Sequence, residues 1–143
     1  MKLKDLYSLI VRKGIEVDPR GKAEVEKDLG RRKEEFDSLK PDDPESLAFD
    51  KENLNNPYPD TRILFGNPDL DVRNALVGID IEVGEILLAE RLLSRGEKID
   101  LVISHHPEGR AYANLYEVMH MQADILNKFG VPITVADDLL DKR

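Results

Sequence analysis

The sequence predicts an α/β fold of three layers, built on a mainly parallel sheet with helical crossovers and carrying a charged helical extension at its N-terminus. Three observations lead there. Apolar runs of four or five residues alternate with segments of helical period beyond residue 62, the pattern of strands joined by crossover helices. The run Ala75-Leu76-Val77-Gly78-Ile79 has no polar side chain, as a buried parallel strand requires. Charge is unevenly spread: residues 1–60 hold 27 of the 50 charged side chains, so the core is expected mainly from residues 61–143.

The elements follow in order. Leu3, Leu6, Tyr7 and Ile10 recur at three- and four-residue spacing, which predicts an amphipathic helix closed near Gly14. Asp18-Pro19 reads as cap and first position of a second helix to about Phe36, with Val25 and Leu29 as a thin apolar stripe. Pro41, Pro44, Pro57 and Pro59 mark a long loop between Lys40 and Asp60. Ile63-Leu64-Phe65 reads as a short strand ended by the turn Gly66-Asn67-Pro68, and Ala75 to Ile79 as a buried strand ending at Asp80. Val83, Ile86, Leu87, Ala89, Leu92 and Leu93 predict a helix stopped by Gly96. Ile99 to Ile103 predicts a strand that runs out into Ser104-His105-His106-Pro107. A helix from about Asn114 to Phe129 ends at Gly130, and Val131 to Val135 is the last predicted strand, followed by Asp137 and Asp138.

At 143 residues, the length suits one compact domain, with residues 1–60 as its extension and 61–143 as the α/β part. A net charge of -8 opposes a nucleic-acid surface. The absence of cysteine excludes disulfides, cysteine nucleophiles and thiolate metal sites. No apolar run approaches the roughly 18 residues of a membrane span, and residues 1–13 mix charge into a helical pattern instead of forming a secretory signal. A cytoplasmic location is the expectation. The glycine-rich phosphate-binding patterns of nucleotide folds are absent.

Ligands of open parallel sheets bind at the carboxyl ends of the strands. The predicted strands end in Asp80, in His105-His106 and in Asp137-Asp138. Imidazole and carboxylate together suit a divalent metal such as Zn, Fe, Mn, Co or Ni. Side chains of neighbouring residues diverge along a straight strand but converge where it turns into a loop. Each residue also has a structural role open to it. The histidine pair can hydrogen-bond a loop, Asp80 can cap a helix, and Asp137, Asp138 and Asp141 can form a solvated acidic end. Glu108 can ligate, act as a base or face water, and its position favours water. His120 falls within a helix, where a lone histidine is more often a surface or packing residue.

The run Asp100-Leu101-Val102-Ile103-Ser104-His105-His106-Pro107, preceded by Gly78-Ile79-Asp80 and a helix, resembles the Nif-three-like proteins, also called GTP cyclohydrolase I type 2 homologues. Gly66-Asn67-Pro68 is similar to the turn that precedes the first long strand of that family. The resemblance covers about residues 63–141. It implies an α/β fold, a homo-oligomer of toroidal hexamer form, and a divalent-metal site with His105, His106 and Asp141 as ligands. Beside these ligands, Asp80, Asp137 and Glu108 are candidates to support the metal ligands or to meet the substrate. It also implies metal-assisted hydrolysis, of the cyclohydrolase kind, of a nucleotide-like or other small substrate, although no residue stands out as a general base. Three features depart from the family: its tryptophan-containing segment is missing, Asp137 stands where it has histidine, and its late histidine and glutamate ligands have no counterpart in these residues. A reading from another class is a non-catalytic oligomeric scaffold or regulatory module that binds protein partners.

Overall fold

A computed structural model of the chain describes residues 1–142. Helix α1 spans Leu3–Val17, α2 Lys22–Ser38 and α3 Pro44–Ala48, followed by a 3₁₀ turn at Lys51–Leu54. Strand β1 is Ala75–Gly78, α4 Val83–Ser94 and β2 Leu101–Ser104. Helices α5 Gly109–Ala113, α6 Leu115–Lys128 and α7 Ile133–Leu140 complete the order. Mixed α/β character is therefore as the sequence predicts. β1 and β2 pair in parallel, with Ala75 opposite Leu101 and Gly78 opposite Ser104, and α4 is their crossover.

Among the described residues the sheet has only these two strands, and two predicted strands take other forms. Val131 to Val135 does not form a strand. Pro132 is the N-cap of α7, and the chain is helical over Ile133–Leu140. A short apolar run bounded by Gly and Pro fits either state, and packing decides between them: Ala136 on α7 and Ala123 on α6 are both fully buried, small residues that let neighbouring helices approach closely. Ile63-Leu64-Phe65 is irregular, with Phe65 96% exposed. Its place is taken by pairing between the chain's start and residues 68–72, where Leu3 N–H donates to Leu70 O at 2.9 Å and Val72 N–H to Met1 O at 2.8 Å. Lys2–Asp71 and Lys4–Asp69 ion pairs, at 2.8 and 2.6 Å, flank this pairing.

The first helix does not stop at Gly14. That position lies inside the helix with the Tyr58 ring against it: a β-carbon there would sit 2.9 Å from Tyr58 Cε2, so glycine serves packing and not termination. The second helix begins three residues later than the Asp18-Pro19 reading gives, after Gly21 at φ 90°. Asp18 is not its cap. Its carboxylate instead accepts from the Arg20 backbone N–H at 2.9 Å, from Arg20 Nε at 3.1 Å and Nη2 at 3.0 Å, and from the Tyr58 hydroxyl at 2.9 Å.

The Pro-rich segment between residues 40 and 60 is held by a second buried cation. The Arg62 side chain is 0% exposed. It donates to Asp50 Oδ2 at 3.1 Å and to the carbonyls of Tyr58 and Thr61, both at 2.8 Å, and it also bonds Asn53 Oδ1. Buried Asn56 donates to Tyr7 Oη and to Thr61 O, each at 2.8 Å. Polar networks of this kind require every partner in place. The charged N-terminal part thus combines these polar networks with a few buried apolar side chains, Leu3, Val11, Val25, Pro57 and Pro59.

The βαβ unit, by contrast, leaves apolar surface open. Val77 on β1 is 66% exposed and Ile79 just beyond it 64%, while Ile86, Leu87 and Leu88 on α4 are about half exposed. Parallel sheets elsewhere bury both faces.

Candidate functional site at the strand ends

The parallel register ends at Gly78 and Ser104, and two backbone hydrogen bonds extend the contact past it: His105 N–H donates to Gly78 O at 2.9 Å and His106 N–H to Ile79 O at 2.8 Å. This extension carries the histidine pair up to Asp80. Ser104 Oγ donates to His106 O at 2.7 Å and contacts Ile79 O at 3.3 Å, closing the turn with a side chain suited to it. At the opposite end of the strands, the Asp100 carboxylate accepts from the backbone N–H groups of Arg73 and Asn74, both at 2.9 Å. Those backbone donors hold its carboxyl below the usual carboxylate range.

Asp80 is not the cap of α4. Glu82 occupies that position, its backbone N–H donating to Glu85 Oε2 at 2.9 Å. Asp80 turns instead to His106, with Oδ1 2.7 Å from Nδ1. The two rings of the histidine pair lie 5.3 Å apart, inclined by 33°. His105, His106 and Asp80 are all open to solvent.

This pairing has chemical content. When Nδ1 carries the proton and donates to a carboxylate, Nε2 is left as a lone-pair donor held in a fixed direction, the arrangement found behind metal-binding imidazoles. His106, with Asp80 behind it, therefore suits one imidazole position of a divalent-metal site. Among the described residues no group of three or more His, Asp or Glu is gathered closely enough to hold an ion.

The other residues singled out by the sequence lie elsewhere. Asp141 is the exposed C-cap of α7, its N–H donating to Asp137 O at 2.9 Å. Asp137 and Asp138 sit within that helix, so they do not follow a strand parallel to β2. Glu108 is the N-cap residue of α5, where its carbonyl accepts from Ala111 N–H at 3.0 Å. His120 is exposed on α6 and lines a cleft away from the strand ends.

Sequence reasoning passed over the arginines of the N-terminal part. Asp28, Arg31 and Arg32 stand at i, i+3 and i+4 on α2, a spacing that brings three side chains to one helix face. That signal was present in the sequence.

A parallel βαβ unit with polar residues at the carboxyl ends of its strands belongs to the broad α/β class. Compared with protein-family models, curated proteins and solved structures, the chain matches none. No helix among the described residues is long and apolar enough to cross a membrane.

Proposed function

We propose that the chain is a divalent-metal-binding protein of the Nif-three-like type, with the metal at the carboxyl ends of β1 and β2. The observation that supports this most is the His106 Nδ1 to Asp80 Oδ1 contact of 2.7 Å beside His105. In this reading His105 and His106 ligate, Asp80 fixes the tautomer of His106, and Asp141 is a further ligand brought in by rearrangement of the α7 terminus or by a partner copy. Asp137 and Glu108 remain outside the ligand set. A divalent ion, when bound, supplies Lewis-acid polarisation and acidifies water, which suits hydrolysis of a nucleotide-like or other small substrate. Substrate reaches this edge freely, because the histidines are exposed.

The test is elemental analysis of untagged protein beside the double variant His105→Ala/His106→Ala. Stoichiometric Zn, Fe, Mn, Co or Ni that disappears in the variant is expected. Absence of metal from the wild type after reconstitution with each of these ions would sink the proposal.

A second reading, an oligomeric scaffold, draws on a different observation: the open apolar surface of Val77, Ile79 and α4. Under this reading a further layer completes the three-layer arrangement by covering the βαβ unit in a homo-oligomer. Sedimentation distinguishes the two, because a scaffold assembles unchanged when both histidines are alanine.

A further inference from the structure

Two open apolar features lie in different parts of the chain. The first is the outer stripe of α4, where Val83, Ile86, Leu87 and Leu93 are each about half exposed or more. Their spacing from Val83 sets them along one side of the helix, while Ala89 on the other side is buried. Glu90 falls within the stripe, is exposed, and is its one charge.

The second is a groove of about 680 Å³ between α1 and α2. Buried Val11 and Val25 and the half-buried Ile15 and Leu29 line it, and Arg12 stands exposed on its α1 lip. The acids of the two lips already have cations: Glu16 pairs with Lys13 at 2.5 Å and Glu26 with Lys22 at 3.6 Å. Among the described residues neither Arg12 nor Glu90 has a partner at ion-pair distance.

The two features match in length and in charge. At about 1.5 Å per residue, the α1 wall from Tyr7 to Glu16 is about 14 Å long and the α4 stripe from Val83 to Leu93 about 15 Å. An apolar helix face laid in an apolar groove is a common recognition mode. Pairing of α4 with its own copy is less favourable. In an antiparallel pair centred on the stripe Glu90 meets Ile86 or Leu87, and in a parallel pair it meets another Glu90, so a charge is left unanswered in an apolar seam. The groove offers it Arg12.

Building on the oligomeric reading of the open βαβ surface, we infer that the α4 stripe of one copy seats in the α1–α2 groove of the next, with Glu90 against Arg12. The partner is therefore a second copy of this chain, joined head to tail through unlike surfaces. Such a contact repeats from copy to copy and either closes into a ring or runs on as an open chain.

The experiment is sedimentation velocity of the whole chain over a range of concentrations, for the wild type, Leu87→Asp, Arg12→Glu, Glu90→Arg and the double variant Arg12→Glu/Glu90→Arg. All three side chains are exposed, so each variant should unfold like the wild type, which thermal melts verify. The wild type is expected to associate with a Kd of about 100 μM or tighter. Leu87→Asp should be monomeric, and each single charge reversal should weaken association about tenfold. The double variant should regain it, as should an equimolar mixture of the two single reversals, in which every groove finds a helix of opposite charge. A wild type that stays monomeric overturns the inference and the oligomeric reading together. Oligomers that persist in Leu87→Asp, that are indifferent to Arg12→Glu, or whose single reversals the double variant does not rescue overturn the inference alone, and leave the oligomeric reading with a different interface.

Discussion

The Tyr58 hydroxyl donates to Asp18 Oδ2 at 2.9 Å and ties the Pro-rich segment to the turn between the first two helices. Forty residues separate the pair in sequence. The same Tyr58 ring presses on Gly14, so one side chain fixes both the course of α1 and the buried ion pair that follows it. Asp18→Asn should cost about 3 kcal/mol, because Arg20, only 6% exposed in its side chain, would keep its charge without a full partner. Tyr58→Phe should cost about 1 kcal/mol, the usual net value of one hydrogen bond. Urea denaturation of both variants checks the order.

The pH dependence follows from the same contact. Burial pushes the Asp18 carboxyl up, but hydrogen bonds from the Arg20 side chain and backbone and from Tyr58 outweigh it and hold the group below its ordinary value. A carboxyl with a depressed folded-state pKa contributes stability above its unfolded pKa, and that contribution is lost as pH falls through the folded value. The stability gap between wild type and Asp18→Asn should therefore narrow as the solution is taken from neutral toward about pH 3. A gap constant over that range would contradict the assignment. Burial and the Asp18 carboxylate push the Tyr58 phenol the other way, above its ordinary range, so its contribution persists until strongly alkaline pH.

Arg62 gathers the segment from Asp50 to Thr61 around one fully buried guanidinium. Its planar fork meets several acceptors at once, which an ammonium cannot reproduce. Arg62→Met should destabilise by about 4 kcal/mol, removing the cation that Asp50 Oδ2 and the Tyr58 and Thr61 carbonyls share, and Arg62→Lys by about 2 kcal/mol. Calorimetric midpoints would show the ranking, and equal losses would show that charge alone matters there.

Apolar burial is concentrated in few places, and the consequences are opposite at two aliphatic residues. Val25 on α2 is fully buried, and Val25→Ala should cost about 2 kcal/mol. Ile79, largely exposed at the end of the sheet, should tolerate Ile79→Thr within about 0.5 kcal/mol in the single chain. A large loss at Ile79 under dilute conditions would reveal that another surface covers it.

At the strand ends, Asp80→Asn keeps the shape of the side chain but weakens its hold on the His106 tautomer. Under the proposed metal site, affinity should fall about 10- to 100-fold, read by competition with a chelator, with little change in thermal stability because both residues are exposed. Unchanged affinity would remove Asp80 from any supporting role.

Much of the local structure was legible in the residues. Ala75 to Gly78 and Leu101 to Ile103 are continuous apolar runs separated by a helical repeat, and that order by itself predicts a parallel pair with a crossover and brings Asp80 and His106 to one edge. The α6 helix and its stop at Gly130, at φ 93°, were equally legible, since period and glycine agree.

Other features depended on contacts distant in sequence. Whether Val131 to Val135 extends or coils is decided by the packing of α7 against α6, helices that bury Ala136 and Ala123 respectively. Gly14 is a packing glycine only because Tyr58 arrives from the Pro-rich segment. Asp18 abandons a cap for an ion pair because Arg20 and Tyr58 bury it. Composition and periodicity along the chain determined which elements this protein can form, because those are properties of neighbouring residues. Tertiary structure decided which polar groups are buried and with whom, because the stability of a buried charge depends on partners that only the folded chain brings within hydrogen-bonding distance.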